Sequence, residues 1–438
     1  MLDAFRNVAR IPELRKKILV TAALLAVFRF GIFVPCPGID TTAITGASES
    51  GESPGNRLMD LADMFAGGAL KRMSVFGTGI MPYITASIVF QLLAAVVPAL
   101  QKISKEGESG RKRLTQYQRY ATVMLCIFWG TVFSRKALAD GVVLDNWAGW
   151  QFTLFAIVSM TAGTMFLMWL GEQIDEFGIG SGISLIIMVG IISRLPLAIR
   201  YIQQNFKRQL GVTDAFGPDK VVALGVLFVV MVVVVVVLTQ AQRRVPVHTA
   251  RRTRQGYSAR SYVPLRVNMA GVISIIFAGA VMIIPNMLVR AGVMPGLTRF
   301  IDSGTFLYYT LYMFLIVFFT YFYTAIVFNP LEQAENFKQY GTFIPGIRPG
   351  RKTADYLQGI MNRVTLPGAV TLAAIAVLPQ VVQWKLKVPA AVAGFFGGTG
   401  LLIVVGVALD VVQRMESYMV MQHYGGFLEG GGRIRGRR

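Results

Sequence analysis

The chain has 438 residues, of which 54% are hydrophobic and only 15% charged, against about 25% charged in an ordinary soluble protein. Forty-three Lys and Arg stand against 23 Asp and Glu, a net charge of +20, and the mean hydropathy is +0.55. These figures exclude a soluble enzyme and predict an all-α polytopic membrane protein, because a helix that crosses a bilayer needs about 20 mostly apolar residues. Phe306–Phe328 and Val221–Leu238 carry no charge at all, and the second contains the unbroken run Val232–Val237.

Cofactor chemistry has little to work with. Two cysteines, Cys36 and Cys126, make no disulfide framework, and two histidines, His248 and His423, build no His-rich metal site. No HExxH, CxxC or GxxxxGK[ST] pattern occurs, so no metal, nucleotide or other cofactor is expected and the chain reads as a non-enzyme. Arg6, Arg10, Glu13, Arg15, Lys16 and Lys17 precede the first apolar run, and no small-residue cleavage pattern follows it. That run is therefore expected to be a retained span rather than a signal peptide.

In chain order, apolar runs between charged or Gly/Pro-rich breaks predict ten spans: 18–34, 75–97, 117–137, 152–170, 181–200, 220–239, 267–288, 306–328, 364–384 and 391–412. Arg194 and Pro196 interrupt the fifth. An even count puts both termini on one side. The loops on that side hold 28 Lys and Arg and those on the other hold 14, with Arg29 inside the first span. By the positive-inside rule both termini are cytosolic. The external loop with Arg200, Lys207, Arg208 and Lys220 runs against that bias.

Ten spans divide into two sets of five, residues 1–200 and 201–412, followed by a basic tail at 413–438. An odd number per half inverts one half relative to the other, a plan that places a central pore or pathway between them.

Four segments are more specific. Gly77-Thr78-Gly79-Ile80-Met81-Pro82-Tyr83-Ile84-Thr85-Ala86-Ser87 leads into span two, and Ser104–Arg113 with Gln116–Tyr120 links spans two and three. Arg266–Ile273 opens span seven; Asn329-Pro330, Glu335–Lys338 and Phe343–Gly350 follow span eight. In these segments, and in span count and loop order from Glu13 to about Gly425, the chain resembles the bacterial SecY family of protein-translocase channels. The resemblance implies a protein-conducting channel in the bacterial plasma (inner) membrane. Unfolded secretory polypeptides would cross it, and hydrophobic segments would leave sideways into lipid.

The resemblance assigns a pore ring to Ile80, Ile84, Ile187, Ile191, Ile276 and Ile403. Physically, a ring of branched apolar side chains dewets when closed and gives a passing chain no fixed binding site. The first two pairs are four residues apart and so share a helical face. A span isoleucine that merely faces lipid or a packed neighbour is the plainer alternative. The segment 58–73 reads as an amphipathic helix that would bury Leu61, Met64, Phe65 and Leu70. In this family such a segment is the plug, and Gly67 and Gly68 would let it bend and pack closely. A simple interfacial helix is the alternative.

Polar groups in the spans should turn inward and bond across helices. Thr85, Ser87 and Gln91 lie in span two, Thr122 in span three, and Asn268 and Ser274 in span seven. They are either static helix glue or, by the resemblance, the clasp of a lateral gate. Loop 240–266 holds Arg243, Arg244, Arg251, Arg252, Arg254, Arg260 and Arg266 without an acid. Topology alone accounts for such a loop, yet arginine forks also suit phosphate and carboxylate partners. The resemblance makes it, together with Arg348, Arg351 and Lys352 in loop 329–363, the dock for the ribosome and the SecA motor ATPase. It also implies SecE-like and SecG-like small subunits and signal-sequence-bearing nascent chains as partners. The Gly/Arg tail is expected to attract RNA or anionic lipids.

A secondary transporter of a small solute is the competing reading, and a non-conducting scaffold the third. Ion-coupled carriers place acids mid-membrane, whereas Glu172 and Asp410 lie at span borders and only Arg29 is a deep charge.

Overall fold

The computed structural model describes residues 12–40, 63, 66–144, 146–147, 149–193, 195–205, 217–249, 261–290, 305–386 and 398–429. The chain forms two units, residues 1–196 with 407–438, and 197–406. All ten predicted apolar segments overlap helices. Among the described residues, five helical stretches are long and apolar enough to cross a membrane, and Met81–Ala94 and Gly182–Ile192 are shorter apolar helices.

The first unit contains α1 (Pro12–Gly31), α2 (Met81–Val96), α3 (Pro98–Lys105), α4 (Glu108–Ala139), α5 (Gly149–Phe177) and α6 (Gly182–Ile192). Its breaks follow from local chemistry. Val97, extended because Pro98 follows it, ends α2 and starts α3. Gly107 turns the chain at φ 79°, and a Cβ on Gly110 would lie 1.8 Å from the Ile103 carbonyl oxygen, so only glycine fits that corner. Helices α4 and α5 approach closely through Gly130, whose added Cβ would lie 3.2 Å from the Ile157 α-carbon. The predicted interruption of span five is real. Helix α6 stops at Ile192 and α7 (Leu195–Asn205) restarts with Pro196 in its first turn, where a missing N–H costs nothing.

The second unit carries α8 (Pro218–Gln240), β1 (Gln242–Thr249), β2 (Ser261–Arg266), α9 (Ile273–Arg290), α10 (Phe306–Val327), α11 (Pro330–Gln339), β3 (Thr342–Phe343) and α12 (Arg351–Leu386). Asn329 caps α11, its side-chain oxygen accepting from the backbone N–H of Leu331 at 3.2 Å. Helix α13 (Thr399–Glu429) begins in this unit, and its part from Val407 belongs to the first. There Val411 and Met415 pack with Leu14 and Ile179, and the Lys17 ammonium donates to the Tyr418 hydroxyl at 3.0 Å.

Three features differ from the sequence expectation. The helical spans come with a three-stranded antiparallel sheet of order β2-β1-β3, so the chain is not helical throughout. Span two begins at Met81 rather than residue 75, because 66–80 is a succession of turns. Within the expected plug helix 58–73, Asp63 is helical, whereas residues 66–73 are turns. Gly67 and Gly68 at φ 68° and 90° make a helix impossible there.

Candidate functional site

In the first unit, the turn segment 66–80 is held at both ends and along its length. The Cys36 N–H donates to the Met73 carbonyl at 2.9 Å and the Val75 N–H to the Val34 carbonyl at 3.0 Å, clipping the segment to the strand-like exit of α1. Leu70 and Met73 join Cys36, Ile39, Phe133, Phe152 and Met160 in one apolar core. Burial there pushes the Cys36 thiol up to about 12. The Phe76 ring lies where side chains on Gly31 and Gly163 would stand, since a Cβ at either would approach it to 2.1 and 3.0 Å. That ring is the middle of a column, stacked on Phe28 at 6.4 Å and on Phe166 at 6.0 Å between centroids.

Two buried threonines join the segment to α5. The Thr78 and Thr164 hydroxyls are 2.7 Å apart, and Thr164 donates to the Gly79 carbonyl at 3.0 Å. Asp63, fully buried, accepts from the Lys71 backbone N–H at 3.0 Å and so pins the turn to the residues before it. Neither Asp63 nor the threonine pair was singled out from the sequence. Two acids, Asp60 and Asp63, in an otherwise apolar stretch were the signal; Thr78 and Thr164 gave none, because their pairing spans 86 residues.

The tip of the segment occupies a narrow place. A Cβ on Gly67 would lie 3.0 Å from the Gly190 α-carbon, and one on Gly79 would lie 3.0 Å from the Ala66 Cβ. The Gly67 carbonyl accepts from Arg29 Nη1 and from Ser193 Oγ, each at 3.4 Å. Residues 66 and 67 therefore touch the positions immediately before Ile80 and Ile191. Those two isoleucines are 1% and 2% exposed, while Ile187 is buried and Ile84 half-buried. Four of the six nominated ring residues thus lie on the two elements that the tip contacts. Of the nominated plug residues, Gly67, Gly68 and Leu70 belong to this segment; Leu61, Met64 and Phe65 lie outside the described residues.

The other two ring candidates are in the second unit. Ile403 is buried on α13 and Ile276 half-buried on α9. A Cβ on Gly406 would lie 4.0 Å from Val272, so the starts of α9 and α13 are neighbours there.

Several nominated gate residues make hydrogen bonds within their own helices. Thr85 and Thr122 donate to carbonyls one turn back in their own helices, Met81 at 3.0 Å and Gln118 at 2.7 Å. Gln91 Nε2 donates to Ser87 Oγ at 3.4 Å, again within α2. A threonine hydroxyl reaches the carbonyl four residues back more easily than a neighbouring helix. Asn268 precedes α9 instead of lying inside it. Its Oδ1 and the Ser274 Oγ are buried with no hydrogen-bond partner among the described residues. Polar contacts between elements include Arg119 Nη2 with Glu172 Oε1 at 2.6 Å between α4 and α5, and Thr21 Oγ1, which accepts from the Ile179 N–H at 3.1 Å.

The basic loops of the second unit are joined. Strands β1 and β2 pair with Arg244 opposite Pro264 and Val245 opposite Val263, and β3 adds His248 opposite Phe343. Val245, Val247, Leu265, Phe328, Ile344, Leu357 and Met361 form the core beneath. Arg243 and Arg244 stay exposed, the Arg244 guanidinium 4.8 Å above the Tyr262 ring. Arg348 is exposed in a turn between Gly346 and Gly350, at φ 80° and 102°, and the Thr353 hydroxyl donates to its carbonyl at 3.0 Å. Arg351 and Lys352 are exposed in the first turn of α12, where the helix dipole disfavours cations and favours an approaching anion. Arg251, Arg252 and Arg254 lie outside the described residues.

A sequence profile described as SecY matches residues 74–412. The chain belongs to the SecY family. Among its relatives, the protein translocase subunit SecY of Thermotoga maritima is 43% identical and aligns over the whole of both chains. That of Streptomyces coelicolor is 42% identical and that of Mycobacterium tuberculosis 40%, each covering 98% of this chain and 100% of its own. Two solved structures share the SecY fold at 14% identity, covering 96% of this chain and 95% of theirs. They are a protein-conducting channel at a TM-score of 0.64 and Sec61 in a canine ribosome–channel complex at 0.60.

Proposed function

We propose that this SecY-family chain is the channel-forming subunit of a protein translocase in the bacterial plasma membrane. It passes unfolded secretory polypeptides across the bilayer and releases hydrophobic segments sideways into lipid. The observation that carries the reading is the seating of Ala66 and Gly67 against Gly79 and Gly190, beside Ile80 and Ile191. Residues 66–73 are then the C-terminal part of a plug. In the closed state it rests on an apolar constriction formed by Ile80, Ile84, Ile187, Ile191, Ile276 and Ile403. Such a constriction excludes ions by dewetting and accepts any side chain when the plug leaves.

The contacts of the plug suit an element that must move. At its tip these are a few carbonyl-directed hydrogen bonds, each worth about 1 kcal/mol net, and glycine contacts that bury little area, whereas Leu70 and Met73 anchor its far end in the apolar core. In this reading Thr85, Ser87, Gln91, Thr122, Asn268 and Ser274 line the lateral exit. The unpartnered Asn268 and Ser274 atoms supply groups that a passing segment or water can satisfy. The sheet with Arg243 and Arg244, together with Arg251, Arg252 and Arg254 of the same loop sequence and Arg348, Arg351 and Lys352, forms the cytosolic dock for the SecA motor and the ribosome. SecE-like and SecG-like subunits complete the assembly, both termini are cytosolic, and the Gly/Arg tail attracts anionic lipids.

Photo-reactive side chains at positions 80, 84, 187 and 191 test the central claim. A secretory chain stalled in transit should label all four positions, and labelling at none of them would refute the constriction. Family membership and full-length similarity to translocase subunits favour this reading over a small-solute carrier.

A further inference from the structure

Helix α6 begins without a cap of its own. Ser181 stands at the N-cap position, but its side chain bonds no backbone N–H of the helix; its Oγ accepts from Ser184 Oγ at 3.2 Å instead. The first N–H of the helix, that of Gly182, donates to Asp175 Oδ1 of the preceding helix at 2.8 Å. A carboxylate from α5 thus takes the place that a serine at the helix start ordinarily fills. Asp175 is exposed and Gly182 buried. The side chain therefore fills no space in the core, and what it contributes is the acceptor.

The corner closed by that bond is tight. A Cβ on Gly182 would lie 2.1 Å from the Gly171 carbonyl oxygen, so α5 and α6 touch backbone to backbone there. A Cβ on Gly178 would lie 2.5 Å from Thr21 Oγ1, the atom of α1 that accepts from the Ile179 N–H. The start of α6 is therefore referenced to α5 and to α1 together. Gly190 stands just over two turns further along, about 12 Å at 1.5 Å per residue. There it meets Gly67, whose carbonyl α1 holds from its own side through Arg29 Nη1. A helix of 11 residues turns as a stiff rod. A slip of one residue at its start would rotate every side chain on it by about 100°.

We propose that Asp175 is a positioning residue for the closed state: by holding the Gly182 N–H it fixes the rotation and height of α6, and so where Gly190 receives Gly67 and where Ile187 and Ile191 stand. Without the carboxylate the Gly182 N–H needs another acceptor, and the Ser181 hydroxyl is the one at hand. Re-capping by Ser181 unties α6 from α5 and loosens the seat of the turn 66–73. The link from Asp175 to that turn holds whatever the chain conducts; its effect on the isoleucines rests on the channel reading.

The test is hydrogen exchange of the purified full-length chain in detergent, read by mass spectrometry. Asp175→Ala should speed exchange in peptides covering 182–193 by about fivefold, the scale of a lost helix cap, and should speed residues 66–73 in parallel. Peptides within α4 should not change. Asp175→Asn keeps an oxygen acceptor and should restore most of the protection, and adding Ser181→Ala to Asp175→Ala should exceed the single variant. Faster exchange confined to the start of α6, with 66–73 unchanged, reduces Asp175 to a local cap and overturns the proposal. So does an Asp175→Asn chain that behaves like Asp175→Ala. Protection lost throughout α4 as well would mark Asp175 as a residue needed for folding, and overturns it equally. In photo-labelling by a stalled secretory chain, Asp175→Ala should lower labelling at position 187 relative to position 188 by about threefold, since a rotated helix changes the face it presents. An unchanged ratio in a chain whose parent labels at 187 breaks the link from Asp175 to the constriction. Absence of labelling in the parent would refute the constriction itself and leave the exchange result standing.

Discussion

Gly67 meets Gly190 so closely that a Cβ on the first would lie 3.0 Å from the α-carbon of the second. Gly67 also holds φ 68°, a left-handed conformation that costs an L-residue about 1–2 kcal/mol. Gly67→Val should therefore unseat the turn, through both strain and contact. Gly68 has φ 90° but nothing within 4 Å of an added Cβ, so Gly68→Ala carries the strain without the clash. Ion leak through the purified chain in liposomes should rise clearly for Gly67→Val and only slightly for Gly68→Ala. Equal leak from the two would show that backbone strain, and not the close approach to Gly190, keeps the turn in place.

Cys36 reports on the same element without engineering. It is 2% exposed, bonded through its N–H to Met73, and its thiol is raised to about 12 by burial. A maleimide at pH 8 should react with it very slowly in the intact chain. Deletion of residues 58–73 removes Leu70 and Met73 from its core, and labelling should then accelerate by more than tenfold as the thiol returns toward its ordinary value of about 8.5. The same shift sets a pH limit on stability. The folded chain keeps the thiol neutral, so its contribution is complete below about pH 8.5 and declines as pH rises toward about 12. Thermal unfolding of Cys36→Ala should show a shallower alkaline loss than the parent chain.

Thr164 closes the bond from α5 to the segment before Ile80. Thr164→Val leaves the Thr78 hydroxyl and the Gly79 carbonyl short of a buried partner, a loss of about 1–3 kcal/mol. Thr164→Ser keeps the hydroxyl and should cost less than half as much. Denaturation of the three proteins in one detergent measures the order, and a valine variant as stable as the parent would exclude the bond as a structural tie.

The sequence made the spans legible because bilayer thickness imposes one length and one polarity on every crossing segment. Val221–Leu238 needs no context to be read as a helix, and Pro196 announced the break that the structure places between α6 and α7. Residues 66–73 were misread as helix because Leu61, Met64, Phe65 and Leu70 fall at helical spacing, while Gly67 and Gly68 were credited with flexibility instead of a left-handed turn. The β1–β2–β3 sheet was hidden by charge. Buried Val245 and Val247 alternate with Arg244, Pro246 and His248 over too few residues to stand out from a basic loop, and β3 lies some ninety residues downstream. Contacts between distant residues, such as Thr78 with Thr164, have no signature in a single sequence. Residue types and local spacing do reveal that polar groups exist in the spans, but not which partner each one finds.

Arg119 and Glu172 tie α4 to α5 at 2.6 Å, with side chains 42% and 36% exposed. At that exposure the pair should be worth about 1 kcal/mol or less. A double-mutant cycle with Arg119→Ala and Glu172→Ala, read by thermal unfolding, should return a coupling in that range and fall further in 0.5 M salt. A coupling above about 3 kcal/mol would mean that the pair is desolvated in the bilayer, as for a buried ion pair.

Arg348 presents one guanidinium from a turn stiffened by Pro345, Pro349 and the bond from Thr353. The side chain is exposed, and nothing in the surrounding core of Val245, Val247, Ile344 and Leu357 depends on its charge. Arg348→Glu should therefore fold, insert and unfold thermally like the parent chain. If the loop is the motor dock, it should also reduce motor-driven export of a secretory precursor into vesicles by at least a hundredfold, since a reversed charge at an interface adds repulsion to the lost contact. Arg348→Lys should recover part of the activity, because a single ammonium keeps the charge but loses the planar fork. Normal export by Arg348→Glu would remove the docking assignment from this turn. A parallel loss of folding would instead mark Arg348 as structural, contrary to its exposure.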